Sequence, residues 1–262
     1  MVWLPMVLML AGGTPDVDVG LQLGAGLTMP DCYAIQQMDM AWYYNWNTTG
    51  LGCGIEFVPM HYQTAGWPSQ EYPPAYLLMF NEANVPWQHR LEPELAAIEW
   101  HQAEREFPFT RLVGPSVAYD QNGLAWLNEW YDAYLRLYEQ PPRIYAAAAH
   151  CYFAEVADCM AWLETLHEWF GARGAEKLWL TEFSFLPCWY AGSEDESRKR
   201  AGELLAWLRE QKYIERVAWF ATHPMAYGTN GMYWPQGCQT PLADTRALTD
   251  YGEWWAEETQ VQ

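Results

Sequence analysis

Two glutamates, Glu82 and Glu182, stand in matching surroundings. Glu82 closes the apolar run YLLMFNEAN from Tyr76 to Asn84, and Glu182 sits in KLWLTEFSF from Lys177 to Phe185. A short, almost wholly apolar run before a carboxylate reads as a strand buried on both faces that delivers an acid to one end of a parallel sheet. Two carboxylates delivered this way can do paired acid chemistry, one ionised while the other holds a proton. A lone Glu at a strand end more often caps a helix or faces solvent; two at matching strand ends reverse those odds. Candidate partners lie at other strand ends: Asn45 and Trp46 after AWYY, Asn81 beside Glu82, and His150 and Tyr152 in RIYAAAAHCYF. His150 and Tyr152 are two apart, so on a strand they point to one side. With two glutamates present no histidine base is required, and His150 is assigned to positioning.

The elements that must position these groups alternate along the chain. Strands are expected over 18–25, 41–46, 54–62, 76–84, 111–118, 143–153, 177–185 and 217–222, with Pro59 tolerated near the end of the third. Helices are expected over 30–40, from about residue 92, through the Leu124, Leu127, Tyr131, Tyr134 and Tyr138 stripe, over 155–170 and over 194–212 behind a Ser193 cap, with LTDYGEWWAEE as a closing helix. Eight strands alternating with helices predict an α/β chain folded as a single (β/α)8 TIM barrel over residues 18–262, with chemistry at the C-terminal strand ends. Residues 1–17 are set apart as a signal-like segment or N-terminal extension, because MVWLPMVLMLAGG is apolar and ends in small residues, though no basic residue precedes it.

Composition narrows the partners. The 262-residue chain carries 33 acidic and 14 basic side chains, a formal charge of -19, which repels phosphate backbones and anionic lipids. Neither nucleic acid nor a membrane is an expected partner, and a monomer is the expected state. The 17 Trp and 17 Tyr offer flat rings with polar edges, suited to stacking on sugars as well as to packing a core. Six cysteines, at 32, 53, 151, 159, 188 and 238, show no zinc-site spacing, so no metal and no cofactor are expected. An even count permits disulfides in an oxidising compartment, with Cys188–Cys238 the pair expected and free thiols an equal alternative. Extracellular secretion is the expectation that follows.

The runs WYYNW, FVPMHY, LLMFNEAN, EPELAAIEW, HCYF, LWLTEFSF, RVAWFA and LTDYG, in that order, resemble the catalytic domain of glycoside hydrolase family 128, a group of endo-β-1,3-glucanases. The resemblance runs from about Val19 to the end. It implies a barrel whose acid/base follows the fourth strand and whose nucleophile follows the seventh, which here are Glu82 and Glu182. One departure is Ala83, where the family commonly has Pro in an FNEP-like run. The chemistry implied is a retaining double displacement, with Glu182 kept ionised by hydrogen bonds from groups such as Tyr152 and with Asn81 on the hydroxyl beside the reacting carbon. Trp46, Trp189, Trp219 and Trp234 are the candidate sugar-stacking rings, Trp219 as floor of the central subsite. Cellulose, xylan or mannan hydrolysis, and β-glucan binding without turnover, remain the alternatives.

Overall fold

The computed structural model describes residues 20–29, 32–88, 90–118, 121–187, 191–223, 241–244 and 247–260. Residues 1–17, Trp189, Trp234 and the expected Cys188–Cys238 pair lie outside them. The described strands are β1 (Gln22–Gly26), β2 (Trp42–Tyr44), β3 (Glu56–Phe57), β4 (Met60–His61), β5 (Tyr76–Met79), β6 (Arg111–Val117), β7 (Ala146–Cys151), β8 (Lys177–Phe183) and β9 (Ile214–Trp219), with a small hairpin of β10 (Ala243–Asp244) and β11 (Ala247–Leu248). The helices are α1 (Tyr33–Gln37), α2 (Pro93–Glu106), α3 (Gln121–Tyr138), α4 (Val156–Gly171), α5 (Glu194–Glu210) and α6 (Asp250–Glu258). Their starts follow from local chemistry. Pro93 occupies the first turn of α2, the Ser193 side chain accepts from the Glu196 amide ahead of three acidic residues in α5, and Thr249 accepts from the Gly252 amide in α6.

The expected closed eight-stranded TIM barrel does not form. Nine parallel strands make one open, curled sheet in the order β3-β2-β1-β9-β8-β7-β6-β5-β4. The third expected strand, 54–62, is two strands: β3 pairs with β2 and β4 pairs with β5, and nothing pairs β3 with β4. Between them stands Pro59, which has no N–H to give a ladder and a fixed φ. The Val58 amide still reaches the Tyr43 carbonyl and the Leu78 amide the Pro59 carbonyl, each at 2.9 Å, so the two edges of the sheet are chain neighbours without being ladder partners. The α/β class stands: the short α1 joins β1 to β2, and the long helices alternate with strands only after β5. The stretch 62–75 has no helix and is tied down by His61, whose Nδ1 lies 2.6 Å from the Gly66 carbonyl and whose Nε2 lies 3.1 Å from Glu99.

Alternation along the strands sorts two cores. The concave face holds Trp42, Tyr44, Val58, Met60, Leu78, Val113, Ala146, Ala148, Trp179 and Ala218. The small Ala146, Ala148 and Ala218 make room for Trp42 and Trp179, whose rings meet at 5.3 Å. Buried Arg216 bonds Glu56 at 2.9 Å and lies 4.5 Å from the Tyr76 and Trp179 ring centroids, packed against the aromatic base of this core. The convex face carries Leu77, Leu178, Leu180, Val217 and Trp219 into the larger core under the helices, with Trp100, Leu163, Leu205 and Trp255. Each such side chain contributes about 1.5–3 kcal/mol by leaving water. Disulfides join Cys32 to Cys53 and Cys151 to Cys159. No helix among the described residues is long and apolar enough to cross a membrane.

Candidate active site

Glu82 owes its position to a break in β5. Strict alternation would carry the strand on to Asn84; instead Phe80 (φ 68) and Glu82 (φ 45) are left-handed. Two further non-glycine residues at this end of the sheet, Trp46 (φ 57) and Gln63 (φ 52), share that conformation. Each costs about 1–3 kcal/mol and persists only where surrounding contacts dictate it, which is common at functional sites. Those contacts are visible. The Ala83 amide donates to the Ser116 carbonyl at 3.2 Å and the Leu91 amide to the Ala83 carbonyl at 3.0 Å, while Asn84 Oδ1 accepts from the Ala118 amide at 2.8 Å. Gln63 Nε2 donates to the Asn81 carbonyl at 2.9 Å. The bond from Ala83 to Ser116 is one that proline could not make, so at this position the chain ties its acid to β6 through the backbone.

Glu182 is turned inward by a bulge. Ala149 pairs with Leu180, but His150 pairs with Glu182, so β8 carries one extra residue at Thr181. Leu180 faces the convex core, and without that residue Glu182, two places on, would face it too. A second shift between Val113 and Ser116 sets the level of β6 against β7. Once inside, Glu182 is surrounded by donors. Tyr152 Oη donates to Oε2 at 2.7 Å and Trp46 Nε1 to Oε1 at 3.1 Å, while Tyr44 Oη, which donates to the Thr181 carbonyl at 2.8 Å, stands 3.3 Å from Oε1. Trp46 Nε1 also reaches Asn81 Oδ1 at 3.2 Å. Its ring lies over Gly26, where an added Cβ would stand 2.7 Å from Trp46 Cη2.

His150 links the two acids. Its Nδ1 is 3.0 Å from Glu82 Oε1 and 3.5 Å from Glu182 Oε2, and its Nε2 is 3.0 Å from Ser116 Oγ. Glu82, Glu182 and His150 are 8 %, 5 % and 1 % exposed, so water screens little of what passes between them. One ligand-type atom from each of the three lies within 4.8 Å of the other two. With Nδ1 hydrogen-bonded to Glu82 that nitrogen's lone pair is not offered to a cation, and the arrangement fits hydrogen bonding between ring and acid.

Burial pushes the Glu182 carboxyl above the usual range and the charge of Glu82 adds to it, opposed by the His150 charge and the Tyr152 and Trp46 hydrogen bonds. Burial pulls the His150 imidazole down, but the charge of Glu182 and the hydrogen bond and charge of Glu82 outweigh it, leaving it raised. Tyr152 and Tyr44 are pushed well up, first by burial and then by Glu182, so both remain donors.

The structure thus brings Trp46, Asn81, Glu82, His150, Tyr152 and Glu182 together. Asn45 organises its own turn, giving Nδ2 to the Thr49 carbonyl at 3.1 Å and accepting from the Asn47 amide at 3.2 Å. Trp219 is fully buried on the convex side, 5.0 Å from Phe183 and 5.3 Å from Trp255. It is a packing residue, not a subsite floor. Its neighbour Phe220 takes the open side, with ring centroids 5.8 Å from both Trp46 and Tyr152. Sequence reasoning missed Phe220, Tyr44, Ser116 and Gln63. Tyr44 was legible, since it shares a strand side with Trp46, and Ser116 was the one hydroxyl in RLVGPSVA.

An α/β sheet presenting two buried glutamates at its C-terminal strand ends is the setting of a sugar hydrolase, and residues 24–255 match the family described as glycosyl hydrolase catalytic core. The chain belongs to that family. Among solved structures it is similar to a GH128 (subgroup II) endo-β-1,3-glucanase from Pseudomonas viridiflava, at 22 % identity and a TM-score of 0.70 over 90 % of this chain and 96 % of that one. A GH128 (subgroup III) curdlan-specific exo-β-1,3-glucanase from Blastomyces gilchristii, in complex with glucose, matches at 22 % identity and 0.69 over 90 % and 97 %. A GH128 (subgroup I) endo-β-1,3-glucanase from Amycolatopsis mediterranei, in complex with laminaritriose, matches at 20 % identity and 0.67 over 90 % and 98 %. The GH128 resemblance drawn from the motifs and the fold likeness agree. No curated protein matches the chain.

Proposed function

We propose that the chain is a retaining endo-β-1,3-glucanase. The observation that carries the reading is the separation of the acids: a carboxylate oxygen of Glu82 and one of Glu182 lie within 4.8 Å. Retaining enzymes hold their carboxyl groups about 5–5.5 Å apart, whereas inverting ones need about 6.5–9.5 Å to admit a water. The roles follow from the neighbours. Glu182 receives the Tyr152 and Trp46 donors, which work against burial in favour of its ionised form and cast it as nucleophile. Its oxygen bonds to the anomeric carbon as the glycosidic C–O bond breaks, and Glu82 passes its proton to the leaving oxygen. Water then attacks that carbon, Glu82 takes the water's proton, and Glu182 departs as carboxylate.

Asn81 and Trp46, coupled through the indole N–H, meet the sugar ring beside the nucleophile, and Phe220 offers it a flat face. The β-1,3 linkage is drawn from the three solved neighbours, two of them endo-acting. Two disulfides support an oxidising, extracellular setting.

Reducing-end release from curdlan or laminarin, set against carboxymethylcellulose and xylan, tests the substrate. Fast release from the β-1,3-glucans with a spread of oligosaccharide lengths is expected. Glucose as the sole early product would replace endo with exo action, and preference for cellulose or xylan would overturn the linkage.

A further inference from the structure

We propose that Ser116 and His150 are positioning residues that hold a hydrogen-bond donor on Glu82 throughout the reaction, the Ser116 hydroxyl turning from donor to acceptor as His150 changes charge. This rests on the reading of Glu82 as acid and base. Nδ1 of His150 faces two carboxylates, Glu82 Oε1 at 3.0 Å and Glu182 Oε2 at 3.5 Å. An ionised carboxylate only accepts, so Nδ1 carries hydrogen in either charge state of the ring. The choice of charge state therefore falls to Nε2, which meets Ser116 Oγ at 3.0 Å.

A hydroxyl suits both outcomes. It donates to Nε2 of the neutral imidazole and accepts from Nε2–H of the imidazolium. A carbonyl or carboxylate in its place would admit only the charged ring. Ser116 is buried, so bulk water does not take over its part. The groups packed on the ring are Glu82 from the bend after β5, Ser116 from β6 and Glu182 from β8, with the neutral phenols Tyr44 and Tyr152 against Glu182 behind it. Two register shifts, between Val113 and Ser116 and between Ala149 and His150, bring these levels together.

Nδ1–H therefore bonds Glu82 Oε1, at 3.0 Å, in both half-reactions, and the proton that Glu82 carries as acid sits on its other oxygen. In the first half-reaction that proton leaves on the glycosidic oxygen and Nδ1–H stabilises the new Glu82 carboxylate. In the second, the proton of the attacking water goes to the freed oxygen of Glu82.

The test uses the full chain labelled with 15N-histidine, as wild type, Ser116→Ala and Ser116→Thr, each with its melting temperature checked. Expected is a His150 Nδ1 that stays protonated across the pH range while Nε2 titrates. In Ser116→Ala the titration moves to lower pH, because the imidazolium loses its acceptor, and Ser116→Thr restores it. Ser116→Ala also loses about tenfold in kcat/KM on a β-1,3-gluco-oligosaccharide but under about threefold on an aryl β-glucoside with a good leaving group, which needs little acid help. An unmoved titration, an unprotonated Nδ1, or equal loss on both substrates overturns the proposal. If the wild type cleaves neither substrate, the glucanase reading fails, and the nitrogen titration alone decides for or against the Ser116 switch.

Discussion

The carboxylate of Glu182 accepts hydrogen bonds from the Tyr152 phenol and the Trp46 indole, of which the indole can do nothing but donate. That asymmetry assigns it the nucleophile's part in the proposed reaction. Glu182→Gln keeps the shape and removes the charge, and is expected to lower kcat on laminarin by about 10³-fold or more, checked by reducing-end assay on a variant with unchanged melting. Tyr152→Phe removes one of the bonds that hold the Glu182 pKa down. The carboxylate then protonates at higher pH, so the acid limb of the kcat/KM profile moves up in pH. The rate at the optimum falls about 10- to 100-fold, the value of one hydrogen bond to a charged group.

At the scale of elements, the acids depend on departures from regular structure. β5 stops at Met79, and left-handed Phe80 and Glu82 redirect the chain; β8 gains a residue at Thr181. Neither was legible in the sequence, because YLLMFNEAN and KLWLTEFSF read as unbroken apolar runs and a bulge leaves no composition signal. What was legible was the chain order of strands and the two glutamates at their ends. Trp219 shows how narrow the margin is: a one-residue step along β9 exchanges a buried packing ring for Phe220 at the cleft. Pro59 was read as tolerable near the end of a third strand, yet it stands where that strand divides and the sheet stays open. Gly26 offers a test at this scale. An added methyl would meet the Trp46 ring at 2.7 Å, so Gly26→Ala is expected to displace the indole from Glu182 and Asn81 and cost about tenfold or more in kcat/KM, with about 1–3 kcal/mol of stability lost to overpacking, measured by denaturant titration.

For the whole molecule, the sequence foretold an α/β chain with aromatic-rich packing, and the charge of -19 remains the reason to expect neutral polysaccharide over nucleic acid as ligand. The expected cysteine pair falls outside the described residues, while Cys32–Cys53 and Cys151–Cys159 hold the chain beside β2 and β7. Cys151 directly follows His150 and precedes Tyr152, so Cys151→Ser with Cys159→Ser is expected to lower stability by about 2–4 kcal/mol and to loosen the nucleophile's donor, read as a lower melting temperature together with a reduced kcat. Spacing alone could not select these partners, since six cysteines permit many pairings.

The proposed two-glutamate displacement is tested most directly by the anomeric configuration of the first product, followed by proton NMR during hydrolysis of a laminari-oligosaccharide before mutarotation sets in. Two inversions at one carbon predict that the β-anomer appears first and decays toward equilibrium. An initial α-anomer would mean a single displacement by water and would contradict the role given to Glu182.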